Sequence, residues 1–385
     1  MSPSSVVDRH CASGLRSVAP ASSSVAGTSE PARGSDECKT RFVEPLVDPD
    51  RLAAWMDTQG LATGAPISVD RITTGHSNEV FRVTRGERAF VLRRPPRTPL
   101  SPTAHDMARE FRLLSAFFGH ASVPVPEPIA CCVDLDVLGV PFYLMAPIDG
   151  VVVREQMPAP FARDAGAPRA CAEALIDALA GIHAFDWESG GLADFGRPAG
   201  YLERQVPRWL GQLERYATRP LPDVDAAGHW LQAHTPPMQP PAVIHGDYKL
   251  DNVMFAPRLP VELVAVVDWE QSTVGDPLVD LGWVIGLWVE SGERAVARAS
   301  GSPFAAAADV PTRQELVARY ARRTGRDVSN LAFYCVLGLF KLACVMEGSF
   351  ARFRAGTSDD AYFAALETGV PALARRALEF AEGGV

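Results

Sequence analysis

The chain has 385 residues, 47% of them hydrophobic, and a formal net charge of −9. That length is enough for one large two-lobed unit or two domains, and the negative charge argues against nucleic acid as a partner. The apolar run at residues 333–346 falls short of the roughly 20 residues of a membrane span and contains Lys341. We therefore expect no membrane insertion.

The seven cysteines have no Cys-x-x-Cys spacing, which argues against a disulfide framework or a zinc site and favours reduced thiols in the cytoplasm. Residues 1–41 are rich in Ser, Ala, Pro and Gly and have no aromatic residue before Phe42. This composition predicts a disordered tail. Whether the tail belongs to the mature protein, and the oligomeric state, are left open by the sequence.

Three short strands are predicted at residues 67–72, 80–83 and 89–92, because apolar residues alternate there and turn residues separate them. The loop between the first two strands contains Gly75, Ser77 and Asn78. Its backbone N–H groups could lie over nucleotide phosphates. The alternative is an ordinary hairpin turn, because Gly, Ser and Asn are common turn residues.

The third predicted strand ends in two arginines, Arg93 and Arg94, and a helix predicted at residues 104–118 follows it. Glu110 lies in the middle of that helix. In a phosphoryl-transfer enzyme a cation on this strand binds the α- and β-phosphates, and a helical glutamate holds the cation in place. Arg93 and Glu110 are the predicted pair. Arg94 is the alternative, because neighbouring residues of a strand face opposite sides.

After a strand at residues 141–145 the pattern becomes mainly helical, so the chain is predicted to be an α+β protein. In the first of the helices His183 lies on the apolar face, which favours a hydrogen-bonded core histidine over a catalyst. The predicted helices span residues 170–185, 201–216, 224–233, 278–289, 314–323, 333–352 and 359–381.

The motif His-Gly-Asp-Tyr-Lys-Leu-Asp-Asn at residues 245–252 follows a short apolar strand, and Asp268 ends another at residues 261–267. The segments between Asn252 and Asp268 form a predicted hairpin that returns Asp268 to the side of Asn252. Phosphoryl transfer needs a carboxylate for the attacking hydroxyl and oxygen ligands for magnesium. Asp247, Asn252 and Asp268 provide that set.

Four further charged residues are candidates for the same site. Lys249 could neutralise charge that grows on the transferred phosphoryl group. Asp280 is expected to accept backbone N–H groups of the catalytic loop. Glu270 contacts the metal or its water, contributes to the acceptor site, or is solvated. Lys341 either extends to solvent or faces the acceptor cleft and binds an anionic group.

The motif HGDxxxxN followed by hydrophobic-Asp-Trp-Glu resembles the catalytic and metal loops of the aminoglycoside phosphotransferase and choline kinase families. The resemblance implies a protein-kinase-like fold, with an antiparallel-sheet N-lobe at residues 42–148 and a helical C-lobe at residues 149–385. It also assigns roles: Asp247 is the base, Asn252 and Asp268 bind Mg2+, and His245 braces the loop. The carbonyl of Ala146 and the N–H of Ile148 would contact the adenine of ATP.

That family more usually has lysine at the position of Arg93. The longer strings, such as GHSNEVFRV and VIHGDYKLDNVMF, look most like the kinase-like proteins related to the N-terminal half of bifunctional acyl-CoA dehydrogenases. The expected activity is phosphorylation of a small-molecule hydroxyl, with a hydroxyacyl-CoA thioester as the acceptor that this subgroup implies. Antibiotic phosphorylation and a catalytically silent nucleotide-binding module are the alternatives.

Overall fold

The computed structural model describes residues 46–72, 78–96, 106–154, 156–290, 309–357 and 361–385, the first two residues of the last range by their backbone alone. The predicted tail at residues 1–41 and two residues of the predicted phosphate loop, Gly75 and Ser77, lie outside these ranges.

A five-stranded antiparallel sheet forms the first lobe. Its strands are β1 Ile67–Ile72, β2 Glu79–Arg85, β3 Arg88–Arg94, β4 Pro128–Cys132 and β5 Phe142–Met145. Their order in the sheet is β1-β2-β3-β5-β4. Strand β2 shows why the sheet forms: Phe81 and Val83 are buried while Arg82 between them is exposed, the alternation of a sheet with one covered face. The fourth strand, which sequence analysis did not predict, contains Cys131 and Cys132, and both are free thiols.

Helix α1, Pro49–Thr58, covers one face of this sheet and was missed in the sequence analysis. Its signals are local: Asp48 caps the first turn by accepting from the backbone N–H of Asp50 at 2.9 Å, and Leu52 and Met56 are buried one turn apart. Helix α2, Met107–Phe117, lies on the other side and is capped by Asp106. The short helix α3 spans Leu135–Leu138.

Two arginines of α2 anchor this helix to the second lobe. Arg109 donates to the carbonyl of Ser272 at 2.9 Å, and its guanidinium lies 3.6 Å from the ring centroid of Phe195. Arg112 pairs with Asp194. The position of α2 is therefore set by contacts on both lobes.

The second lobe is mainly helical, as predicted, with differences at the helix ends. The predicted helix at residues 201–216 is helical only over Gln205–Leu213, and the last predicted helix begins with a 3-10 segment, Ala361–Ala365. The helices are α4 Ala167–Ala184, α5 Gln205–Leu213, α6 Pro222–Ala233, α7 Leu278–Leu287, α8 Arg313–Thr324, α9 Leu331–Arg354 and α10 Leu366–Gly383.

Helix α9 is the centre of this lobe and packs closely against α7. A Cβ atom on Gly282 would lie 2.4 Å from the carbonyl carbon of Tyr334, so the backbones touch at this crossing. By length and composition α9 could also cross a membrane, but 72% of its most apolar stretch is buried inside the protein. Buried core helices have the same composition. It is the one such helix among the residues that the structure describes.

We expect the ion pair between Arg219 and Glu347 to hold the α5–α6 connection against α9. Glu347 is fully buried and Arg219 approaches it to 2.7 Å. Arg219→Met should lower the free energy of unfolding by about 3 kcal/mol, because it leaves a buried carboxylate without its cation. Denaturant unfolding measures the change.

The matched control is Arg258→Met, which removes a 2.6 Å ion pair between two exposed side chains. Exposed pairs contribute little to stability. Equal unfolding midpoints for the two variants would contradict the structural role of Arg219.

Candidate active site

The catalytic loop begins where β6, Ala242–Ile244, ends in the interior of the second lobe. β6 pairs antiparallel with β9, Thr273–Gly275, so the loop starts beside Thr273, the first residue of that strand. Gly246 has φ of +84°, in the left-handed region that favours glycine. A Cβ atom there would lie 2.6 Å from the carbonyl oxygen of Gln271. The loop therefore needs glycine for both its conformation and its close approach to Gln271.

Gly246→Ala should impair the site more than the fold. We expect about 2 kcal/mol of destabilisation from strain and at least a tenfold fall in kcat, because the loop must move away from Gln271. Gly60→Ala is the matched control: Gly60 has φ of +68°, but a Cβ atom added there would have nothing within 4 Å. Thermal unfolding and initial rates separate the two variants. Equal kcat for both would contradict the packing argument.

Asp247, Lys249 and Asn252 converge on one point of the loop. The ammonium of Lys249 lies 3.1 Å and 3.0 Å from the two carboxylate oxygens of Asp247. The amide nitrogen of Asn252 donates to the backbone carbonyl of Asp247 at 2.8 Å and to its carboxylate at 3.1 Å. These contacts fix the carboxylate of Asp247, whose side chain remains 17% exposed and open to a substrate.

His245 and Asp280 brace the start of the loop. His245 is fully buried, with Nε2 2.9 Å from the carbonyl of Val267, and its Nδ1 accepts from the N–H of Asp247 at 3.3 Å. These partners require the neutral Nε2–H tautomer. Asp280 accepts the N–H groups of His245 and Gly246 at 2.6 Å and 2.8 Å. Both residues hold backbone, as expected of a scaffold.

A second histidine completes this network from the core. His183 contacts the hydroxyl of Tyr320 at 2.7 Å and the carboxylate of Asp280 at 3.3 Å. Burial lowers the pKa of His183, although Asp280 opposes the shift. Burial also acts on Asp280, but the hydrogen bonds that it accepts from the side chain of His183 and the backbone N–H of His245 keep its pKa below the usual range. His183 is thus a core histidine that orients the carboxylate of Asp280.

Asp268 reaches the site through the hairpin of β7, Val253–Phe255, and β8, Leu263–Val266. The N–H of Val267 donates to the carbonyl of Asn252 at 2.9 Å, which places Asp268 beside Asn252. Asp268 itself has φ of +68°, a conformation that is uncommon for residues other than glycine. Such backbone outliers are concentrated at functional sites.

Arg93 connects the two lobes at this point. It contacts Glu110 at 3.1 Å through Nε and pairs with the carboxylate of Asp268 through Nη2. Glu110 also accepts the N–H of Trp269 at 3.2 Å. Arg94 faces the other side of the sheet and donates to the carbonyl of Leu46. Of the two arginines, the structure therefore places Arg93 in the cleft.

The carboxylates near Arg93 are shifted in opposite directions. Burial raises the pKa of Glu110, and Arg93 offsets part of that effect. Asp268 is also penalised by burial, yet Arg93 holds its pKa below the usual value. The difference favours a charged Asp268, which is the form that can bind a cation.

Asn78 and Glu270 meet across the same cleft. The amide nitrogen of Asn78 donates to the carboxylate of Glu270 at 2.7 Å, and Glu270 lies 3.8 Å from Arg93. The amide oxygen of Asn78 is buried and has no partner among the described residues. Glu270 therefore lies between Asn78 and Arg93 in the cleft.

The connection between the lobes presents two backbone groups. The N–H of Ala146 donates to the carbonyl of Glu127 at 2.9 Å. Within the described ranges, the carbonyl of Ala146 and the N–H of Ile148 make no hydrogen bond. Both groups are available to a planar ligand that carries a hydrogen-bond donor next to a hydrogen-bond acceptor.

Asn252 and Asp268 have the chemistry of a magnesium site. The amide nitrogen of Asn252 is used by Asp247, and no described residue donates to its oxygen. One carboxylate and one amide oxygen suit Mg2+, which completes its shell with phosphate oxygens and water. The described residues contain no group of three or more His, Cys, Asp or Glu side chains that could hold a metal by itself.

Lys341 of α9 lies under the catalytic loop. Its ammonium donates to the carbonyl of Gly246 and, at 2.9 Å, to the side-chain oxygen of Gln271. It therefore links the catalytic loop to the segment that follows Asp268. Sequence analysis singled out Lys341 but missed Gln271, because no local pattern distinguishes it from a solvated side chain.

A family model described as the phosphotransferase enzyme family matches residues 68–325. Acyl-CoA dehydrogenase family member 11 of Gallus gallus is 35% identical over 296 residues, which cover 76% of this chain and 38% of that protein. The human member 11 is 32% identical, with 79% of this chain and 39% of that protein covered. The chain thus spans about two fifths of the length of these curated relatives.

Solved structures show the same fold. A putative aminoglycoside phosphotransferase from Ralstonia eutropha JMP134 is 28% identical, with a TM-score of 0.72 and coverage of 86% of this chain and 98% of that one. The GDP and kanamycin complex of APH(2")-IIIa is 16% identical, with a TM-score of 0.56 and coverage of 85% and 98%. The chain belongs to the phosphotransferase enzyme family and has the kinase-like fold of its aminoglycoside phosphotransferases.

Proposed function

We propose that this protein is an ATP- and Mg2+-dependent phosphotransferase that acts on a hydroxyl group of a small molecule. One observation carries the proposal: the fixed carboxylate of Asp247 shares a loop with Asn252, and Asn252 lies beside an Asp268 that is paired with Arg93. The residues proposed as the base, the two metal ligands and the phosphate-binding cation therefore lie in one cleft.

Asp247 accepts the proton of the acceptor hydroxyl as its oxygen attacks the γ-phosphorus. The bond between that phosphorus and the bridging oxygen breaks, and ADP leaves with the bond's electron pair. Lys249 lies beside the attacking group and offsets charge that grows on the transferred phosphoryl oxygens. Asn252 and Asp268 would hold magnesium, which would supply positive charge against the nucleotide phosphates.

The remaining residues position the nucleotide. The carbonyl of Ala146 and the N–H of Ile148 suit the amino and ring nitrogens of adenine. Arg93 binds the α- and β-phosphates, and its planar guanidinium can bind two oxygens at once. Gly75, Ser77 and Asn78 are proposed to cover the phosphates; of these, Asn78 is the one that the structure describes.

The proposed acceptor is a hydroxyacyl-CoA. Support comes from the curated relatives, which are named as acyl-CoA dehydrogenases and whose remaining length lies outside the match. A phosphotransferase joined to such an enzyme in one chain would lie close to a site that binds acyl-CoA thioesters. The negative net charge of the chain fits a small-molecule partner better than nucleic acid, and we propose a cytoplasmic location.

The test is ADP release with Mg2+-ATP and a panel of hydroxyacyl-CoA thioesters of increasing chain length, with Asp247→Ala as the background. Turnover above that background with at least one thioester is expected. No turnover with any thioester would exclude the acyl-CoA assignment. The phosphotransferase proposal would then be tested separately, by incubating the protein with labelled ATP and a metabolite extract. A labelled product in that extract identifies another acceptor.

Antibiotic phosphorylation and a catalytically silent nucleotide-binding module are the alternatives. Resistance conferred on a susceptible host would support the first. Binding of Mg2+-ATP without a labelled product from any extract would support the second.

A further inference from the structure

Positive charge is concentrated on the acceptor side of the catalytic loop, on helices α5 and α9. The ammonium of Lys341 lies 4.8 Å from the ring centroid of Trp283 and 5.6 Å from that of Trp209. The guanidinium of Arg208 lies 5.0 Å from the Trp209 centroid. One indole ring therefore lies against both cations.

Neither cation has a carboxylate partner in the part of the chain that the structure describes. The charged groups that act on Lys341 are Asp247 and Asp280, which favour its charged form, and Arg208 and Lys249, which oppose it. Asp280 already accepts hydrogen bonds from the catalytic loop and from His183. Asp247 is held by Lys249 and must remain open to the acceptor hydroxyl. The positive charges of Lys341 and Arg208 are thus only partly balanced by nearby carboxylates.

The groups around Lys341 offer more donors than acceptors. Two of its three N–H bonds are used by Gly246 and Gln271. The indole N–H groups of Trp209 and Trp283 are buried and have no acceptor among the described residues. Burial also lowers the pKa of Lys341 to about 8. A negatively charged oxygen group nearby would offset the cost of keeping this ammonium charged.

We propose that Arg208 and Lys341 bind an anionic oxygen group of the acceptor while its hydroxyl lies at Asp247. The proposal rests on the phosphotransferase function above and narrows its substrate to an anion. Lys341 donates to Gly246, the residue next to Asp247, so the anionic group of the acceptor would lie in the same cleft as the acceptor hydroxyl. A polycationic amino sugar would instead place its ammonium groups against these two cations.

Two sources of the anionic group have the same oxygen chemistry: the phosphates of a CoA thioester and the carboxylate of a free hydroxy acid. Arg208 is exposed, whereas Lys341 is partly buried beside the catalytic loop. Either anion could pair with these two cations. The ligands in the experiment distinguish them.

The experiment is calorimetric titration of the full chain saturated with Mg2+ and AMP-PNP, so that the nucleotide site is filled. The ligands are CoA, pantetheine, which lacks the phosphates of CoA, and butyrate, at constant ionic strength. We expect saturable binding of CoA or butyrate but not of pantetheine, and at least tenfold weaker binding in Arg208→Ala. Arg163→Ala, which removes another exposed arginine of the same lobe, should bind like the wild type.

Lys341 needs a separate measurement, because it also donates hydrogen bonds to Gly246 of the catalytic loop and to Gln271. Lys341→Met should weaken anion binding and lower kcat, whereas Arg208→Ala should raise KM for the acceptor with little change in kcat, and Arg208→Lys should restore part of the affinity. Absence of binding by both anions, or equal affinity in wild type and Arg208→Ala, would overturn the proposal. Binding of AMP-PNP is measured first, so failure of the nucleotide site is recognised independently.

Discussion

Asp247→Asn is expected to lower kcat by about 10² to 10⁴, the range for loss of a general base. Asparagine keeps the size of the side chain but cannot accept the hydroxyl proton, so phosphoryl transfer fails while the nucleotide still binds. Initial rates of ADP release and calorimetric binding of Mg2+-ATP measure the two effects. Affinity for the nucleotide should change less than threefold.

Asp251→Asn is the matched control. Asp251 lies in the same loop, its side chain is 50% exposed, and its nearest cation is Arg154 at 3.8 Å. It should keep nearly wild-type kcat, because its side chain takes no part in the contacts among Asp247, Lys249 and Asn252. Equal losses in the two variants would show that loop charge matters rather than the base, and would remove the role assigned to Asp247.

Arg93→Met should cost about 3 to 5 kcal/mol of stability, because it leaves the buried Glu110 without its cation. It should also abolish measurable Mg2+-ATP binding, since Asp268 loses the partner that positions it. Arg93→Lys should recover part of the stability and part of the nucleotide binding, because lysine supplies the positive charge but not the planar guanidinium that binds two oxygens. Denaturant unfolding and nucleotide titration measure these effects.

The pH dependence gives a second signature of the same variant. Burial raises the pKa of Glu110 above its unfolded value even with Arg93 present, and removing the cation raises it further. Stability from a protonated Glu110 is complete below the unfolded pKa and is lost as pH rises through the folded pKa. Arg93→Met should therefore be more stable in mild acid than at neutral pH. Arg82→Met, at an exposed strand position, should show neither effect.

Much of the site could be predicted because its parts are close in sequence. The hairpin length between Asn252 and Asp268 brings the two together, and the structure has that contact. The choice between Arg93 and Arg94 could not be made, since it depends on which face α1 covers. Helix α1 was missed although its cap and its buried residues Leu52 and Met56 are visible in the sequence.

Contacts over long sequence separations were the least predictable. The contact between Lys341 and Gln271 joins residues 70 positions apart, and Arg208 comes near Lys341 only because α5 packs on α9. Neither helix pattern specifies its neighbour. The predicted last helix, residues 359–381, starts outside the described residues, and its described part is 3-10 from Ala361 to Ala365 before the α-helix Leu366–Gly383 begins.

The anchoring of α2 has a consequence for control of the enzyme. In protein kinases, movement of the corresponding helix makes or breaks the ion pair on which activity depends. Here Arg109 and Arg112 tie α2 to Ser272 and Asp194 of the other lobe, so Glu110 cannot leave Arg93 unless those contacts also break. Movement of α2 away from the second lobe would therefore cost more free energy than loss of the Arg93–Glu110 pair alone, which makes an outward position of this helix harder for a regulator to capture.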